Sequence, residues 1–96
     1  MITYDPKQDI TSSTLPVISP ELDKLVLFNQ FDDFTLELSS VSIVDSSGIG
    51  LLIRINSELK GRGHSLFLVN VDREIAIMLK MMRLDKHFSI SEKERT

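Results

Sequence analysis

The run Asp45-Ser46-Ser47-Gly48 gathers a carboxylate, two hydroxyls and a glycine directly before Ile49, Leu52, Ile53, Asn56 and Leu59. Those apolar residues are spaced for a helix, so the serines fall at or beside its N-terminus. A hydroxyl there stands near unpaired backbone N–H groups and still lies on the surface. A phosphate added to it would be tolerated by the helix dipole, and would bring roughly 1.5 to 2 negative charges up beside Asp45. Modification would thus change the surface a partner meets without unfolding the chain. Gly48 and Gly50 keep the helix start uncrowded, which would let a partner backbone approach closely. An ordinary capped helix needs the same four residues, and on the residues alone both readings stand.

Other chemistries find less to work with. His64 and His87 have no carboxylate or histidine at metal-ligand spacing. Gly48-Ile49-Gly50 lacks the further glycine and the lysine of a phosphate-cradling loop. The serines do not form Gly-x-Ser-x-Gly, and no triad is evident. There is no cysteine, hence no disulfide, thiol nucleophile or thiolate site. The chain therefore reads as a non-enzyme without cofactor or metal. A net charge of −3 offers no basic field for nucleic acid. The longest apolar runs, such as Ile75 to Leu79, are far too short to span or insert into a membrane. The N-terminus lacks the regions of a signal peptide, and a cytoplasmic location is expected.

Ninety-six residues bound the chain to one domain, 1–96. Residues 1–15 and 91–96 are weakly patterned; Ile2, Tyr4 and Ile10 suit an edge strand that Pro6 interrupts. Ser19-Pro20-Glu21 predicts a helix start, with Leu22, Leu25, Val26 and Asn29 carrying the helix to about Gln30. Phe34 to Leu38 alternates like a strand, and Val41, Ile43 and Val44 extend its apolar pattern to Asp45. The helix after Gly48 stops at Gly61-Arg62-Gly63. Ser65 to Val71 predicts a strand buried on both faces. An amphipathic helix follows from Asp72 to about Leu84, then a short strand at Phe88-Ser89-Ile90 and a charged tail from Glu92. Met78, Met81 and Met82 suit core filling on that helix, or else an adaptable contact patch. Alternating strands and helices predict an α/β fold with a mainly parallel sheet. Asp45-Ser46-Ser47-Gly48 then lies at the carboxyl ends of the strands, where such sheets usually meet their ligands and partners.

Several segments in order resemble a STAS domain of the bacterial anti-sigma-factor antagonist type. They are Phe34 to Leu38, then Ser39 through Gly50 with the serine motif, Leu66 to Val69, and Leu79 through Phe88. Gln8-Asp9-Ile10-Thr11 resembles a weaker motif ahead of the first helix. The best-matched part is 34–88. The resemblance implies partner switching in transcription regulation. Such proteins bind a serine kinase that doubles as an anti-sigma factor, which frees its sigma factor. Phosphorylation of the serine after the aspartate breaks the complex, and a serine phosphatase restores it. Carried over, Ser46 is the phosphoacceptor, with Asp45, Ser47, Gly48 and Ile49 as the partner-binding surface and Asp9 as a further contact.

This chain departs from the family in two ways. Few residues precede Asp9, so the first strand is expected to be short or missing, and a bare sheet edge could pair with a second copy to form a homodimer. The usual C-terminal helix has no counterpart in Ser91 to Thr96. Besides the phospho-regulated switch, the resemblance leaves a non-catalytic STAS subunit of a transporter or signalling scaffold, and a small-molecule or nucleotide sensor using the same strand ends.

Overall fold

The computed structural model describes residues 2–28 and 32–94. Strands β1 (Ile2–Tyr4), β2 (Phe34–Glu37), β3 (Leu66–Val71) and β4 (Ser89–Glu92) form one sheet in the order β1-β2-β3-β4. Each adjacent pair is parallel. Helices α1 (Leu15–Phe28), α2 (Ser46–Gly61) and α3 (Arg73–Met81) form the successive crossovers, with a 3-10 turn at Leu84–Lys86 before β4. Consecutive strands are neighbours, a topology that with the usual right-handed crossover sense places the helices on one face.

The strand register shows which side chains face the helices. Phe34 pairs with Ile2 and Leu66, and Leu36 with Tyr4 and Leu68, so these side chains form rows on one face. Phe34, Leu36, Leu66 and Leu68 are fully buried. They meet Ile18, Leu22 and Val26 of α1, Leu52, Ile55 and Leu59 of α2, and Ala76 and Leu79 of α3 in one apolar cluster. The spacing of those helical residues is that of a single buried stripe. The next row, Thr3-Thr35-Phe67-Ser89, points the other way and includes the exposed Thr3 and Ser89.

β3 therefore departs from the expectation of burial on both faces. Phe67 and Val69 are only half-buried, and Asn70 is exposed. Asn70 takes a left-handed conformation (φ 52°), where the pairing of β3 with β4 shifts register. Asparagine tolerates that conformation better than most residues, and its side-chain amide donates to Glu37 at 2.6 Å. A near-continuous apolar run satisfies a one-sided sheet as well as a two-sided one, which is why the pattern misleads.

α1 starts a turn earlier than Ser19-Pro20-Glu21 suggests. The Thr14 hydroxyl accepts from the N–H of Thr11 and donates to the carbonyl of Asp9, while the Thr14 carbonyl accepts from Ile18. Pro16 then falls in the first turn, where no N–H is needed. Pro20 lies inside the helix. The carbonyl its missing N–H would have paired with belongs to Pro16, and both prolines are exposed, so water can serve that carbonyl. The expected end near Gln30 lies outside the described residues.

The remaining boundaries shift for local reasons. The apolar pattern through Val44 is not a continuation of β2: the chain turns after Leu38, whose carbonyl accepts from Val41. A short first strand does form, and Ile10 lies outside it, in a lone parallel bridge with Val44. α2 stops where the sequence indicates. His64 and Gly63 donate back to Leu59 and Lys60, and Gly63 is at φ +80°. α3 closes at Met81 rather than Leu84, because Arg83 turns left-handed (φ 60°). β4 extends to Glu92, and the Lys93 N–H still donates to the Val71 carbonyl, so the charged tail is tied to the sheet further than expected. Met81 is 80% exposed and Met82 half-exposed, so neither fills the core; Met78 is half-buried.

The one-sided sheet makes a direct prediction. Leu68→Ala, which empties a site in the helix-covered layer, should cost about 2–5 kcal/mol. Val69→Ala, one residue along on the other face, should cost well under that. Urea denaturation of the two variants checks this, and equal losses would mean that both faces are buried alike.

Candidate functional site

The segment Asp9 to Ser12 and the loop from Ser42 to Gly48 lie side by side and grip each other through paired backbone and carboxylate bonds. The Ile10 N–H donates to the carbonyl of Ile43 at 3.0 Å, and the Asp45 N–H to the carbonyl of Ile10 at 3.3 Å. The carboxylates work in both directions. Asp9 Oδ1 accepts from the N–H groups of Ser42 (2.7 Å) and Ile43 (3.0 Å). Asp45 Oδ2 accepts from the N–H of Ser12 (2.9 Å), while Asp45 Oδ1 caps α2 by accepting from Gly48 (2.9 Å). Each strand of this clasp supplies an aspartate to the amides of the other.

Gly48 explains how close the two strands come. A Cβ at this position would lie 2.3 Å from the Ile10 carbonyl oxygen and 2.8 Å from Val44 Cγ1. A backbone atom cannot move aside as a flexible side chain can, so glycine is required. Gly50 has open space around it. Gly48 thus serves close packing within the chain and does not clear room there for a partner backbone, whereas the space beside Gly50 is open.

Ser46 and Ser47 are the first two residues of α2 and both are exposed. Asp45 is half-buried beneath them, while Gly48 and Ile49 are buried. The surface available to a partner at the motif is therefore that of Ser46 and Ser47 with the flank of Asp45. Gly48 and Ile49 hold it from below. Asp9 sits on the far strand of the clasp, half-buried, with one carboxylate oxygen engaged by the loop. Ser12, Ser42 and Ile43 also belong to this surface, and all three are exposed. Nothing in the sequence spacing marks them, because their proximity depends on a bridge between positions far apart in the chain.

The clasp is anchored through α1. Arg54 of α2 donates to Asp23 (2.6 Å) and to the Ser19 hydroxyl (3.0 Å) on α1, and Arg62 donates to the carbonyl of Val26 (2.9 Å). Exposed pairs of this kind add little stability individually. Their effect is positional, since they hold α1, and with it the Asp9–Ser12 segment leading into it, against α2. Tyr4 contributes from β1 by donating to Glu21 at 2.5 Å, and burial together with that carboxylate pushes its hydroxyl well above the ordinary tyrosine range.

Bonds from the Ser12 and Gly48 amides hold the Asp45 carboxyl below its usual range. The residue directly before Ser46 is thus held in its charged form. Elsewhere, His64 Nδ1 lies 3.7 Å from Asp33 Oδ1, and His87 is exposed between the 3-10 turn and β4. Among the described residues no three histidine, cysteine or carboxylate side chains stand together as a metal site. No helix among them is long and apolar enough to cross a membrane.

Two outcomes follow from the clasp. Gly48→Ala should destabilise the chain by about 1–3 kcal/mol, as overpacking does, and urea unfolding will measure it. A wild-type midpoint in that variant would mean that the Ile10 carbonyl can move freely. The second concerns pH. Folding lowers the Asp45 pKa, so the stability this carboxylate lends is present above the ordinary aspartate value of about 3.9 and is lost as pH falls through the folded value. Asp45→Asn keeps a cap without the titration, so its stability should fall less steeply than wild type below about pH 4. Parallel slopes in urea midpoints across that window would remove Asp45 from the acid response.

Two solved structures share this fold. A candidate anti-sigma factor antagonist from Thermotoga maritima superposes with a TM-score of 0.85 at 18% identity, covering 95% of this chain and 79% of that one. A sulfate transporter family protein from Wolinella succinogenes superposes with a TM-score of 0.77 at 14% identity, covering 95% and 76%. At such identities they speak for the fold alone. The sequence itself matches the STAS domain family over residues 1–96, and the chain belongs to that family.

Proposed function

We propose that this STAS domain is a phosphorylation-regulated binding protein. It holds a serine-kinase anti-sigma factor while Ser46 carries a free hydroxyl and releases it when Ser46 is phosphorylated. The observation that carries this reading is the placement of Ser46. It is exposed at the first position of α2, next in sequence to a carboxylate that is already charged, on a surface that the clasp's hydrogen bonds hold together. A phosphate there has no buried group to displace, so the fold survives it. It adds roughly 1.5 to 2 negative charges to those of Asp45 and Asp9, which changes how the surface meets a partner. Its likeness in fold to a candidate anti-sigma factor antagonist supports the same reading.

In this scheme Ser46 and Ser47 make direct contact, Asp45 supplies local charge, and Gly48, Ile49 and Asp9 keep the surface in shape. The kinase is both partner and modifying enzyme. A serine phosphatase resets the switch, and the setting is the bacterial cytoplasm. A second reading has its own observation: the likeness in fold to a sulfate transporter family protein suits a non-catalytic subunit of a transporter or scaffold.

Pull-downs from host lysate with wild type, Ser46→Ala and Ser46→Asp as parallel baits separate the two, once circular dichroism has shown all three folded. The switch reading expects an ATP-binding serine kinase with wild type and Ser46→Ala, and an affinity at least about tenfold weaker for Ser46→Asp, some 1.4 kcal/mol. Identical partners on all three baits would overturn it and favour the transporter or scaffold reading.

A further inference from the structure

Ile43 combines a fixed backbone with a bare side chain. Its N–H donates to Asp9 Oδ1 at 3.0 Å and its carbonyl accepts from the Ile10 N–H at 3.0 Å, so both groups are committed to the clasp. The side chain nevertheless stands 56% exposed. An apolar side chain left in water adds nothing to folding, and single residues of this kind are common on protein surfaces. Ile43 is not single. It lines a hollow of about 270 Å³ between the Ser42–Val44 loop and α3, together with the buried Val44 and Ile75. The half-buried Met78 and the exposed Glu74 line it from α3.

Position and chemistry say what covers this hollow. Ile43 precedes Ser46 by three residues, a length of chain that spans at most about 11 Å. An ordinary interface buries about 800 Å² per partner, a disc of roughly 16 Å radius. A partner centred on Ser46 therefore reaches the hollow as well. The hollow is open to solvent, and its apolar surface suits a side chain delivered by a larger body. Met78 adds a flexible thioether that can adjust to the shape of what enters. Glu74 adds a charge, and its carboxylate has no ion-pair partner among the described residues. A lysine or arginine on the visitor is its complement.

We propose that the hollow between the Ser42–Val44 loop and α3 receives an apolar side chain of the kinase partner, with a cationic side chain beside it facing Glu74. This rests on the reading of Ser46 as a switch and extends it. Ile43 and α3 supply affinity, while Ser46 on α2 controls release. Phosphorylation then removes the partner without altering the hollow.

The kinase that wild type brings down in the pull-down above, once purified, is titrated against variants by calorimetry, with urea unfolding as the check on folding. Ile43→Ala should bind about tenfold or more weakly, and Glu74→Gln about threefold more weakly with a shallower salt dependence. Leu27→Ala, equally exposed but at the far end of α1, should stay within about twofold of wild type. As a substrate of that kinase, Ile43→Ala should show a raised KM with kcat unchanged, because a contact away from the reacting hydroxyl is made equally in the ground and transition states. Wild-type affinity in Ile43→Ala, alongside release by Ser46→Asp, overturns this inference and leaves the switch standing. If Ser46→Asp binds as tightly as wild type, the switch falls, and the Ile43 result still decides the hollow. Absence of any kinase from the wild-type bait overturns both. A wild-type dimer that Ile43→Ala splits, seen by light scattering, puts a second copy of the chain in the hollow and overturns the proposal too.

Discussion

The Ile10 carbonyl occupies the space where any residue but glycine at position 48 would place its Cβ. That approach brings the Asp9–Ser12 segment within hydrogen-bond reach of the Ser42–Asp45 loop, so the two aspartates can each take amides from the opposite strand. The cap on α2 shares in the same arrangement, because one oxygen of Asp45 serves Gly48 and the other Ser12. The start of α2, the exit of the loop and the approach to α1 are therefore fixed together. Moving any one of them would break bonds belonging to the other two.

The sheet and core supply the frame for this. Four parallel strands in chain order, with a helix in each crossover, leave every loop at the carboxyl ends on one side of the molecule. The apolar stripes of the three helices cover one face, and the fully buried residues of β2 and β3 meet them there. Ser46 needs nothing from this core directly. It needs the core to hold α2 in place, so that Ser46 stays at the exposed helix start that Asp45 caps.

Much of this was legible in the chain. Alternation in Phe34–Leu38 and helical spacing after Gly48 belong to local geometry, and they located β2 and α2. Asp45 was readable as a cap, because a carboxylate before a helix has that use whatever surrounds it. The start of α1 was not, since Ser19-Pro20-Glu21 has every property of a helix start and only the Thr14 bonds to Asp9 and Thr11 show that the helix is already under way. Gly48 was misread for a related reason. The need for glycine was visible in its position, but the atom it makes room for lies in Ile10, and no spacing rule joins those two. Ile43 and Ser12 stayed hidden for the same reason.

Strand order has a consequence for how the chain assembles. Each strand pairs with the one made before it, so a chain emerging from the ribosome extends its sheet in a single direction. Both halves of the clasp lie ahead of β3 in the chain, so the surface around Ser46 has all its own atoms before the second half of the sheet exists. What is missing until β3 and β4 arrive is apolar cover, and the latest strand always presents an open row of amides and carbonyls. A nascent chain of this topology is therefore sticky along its growing edge, and among the described residues the outer side of β1 has no strand beside it either. Its exposure to misassociation lasts as long as the ribosome takes to deliver the last strands.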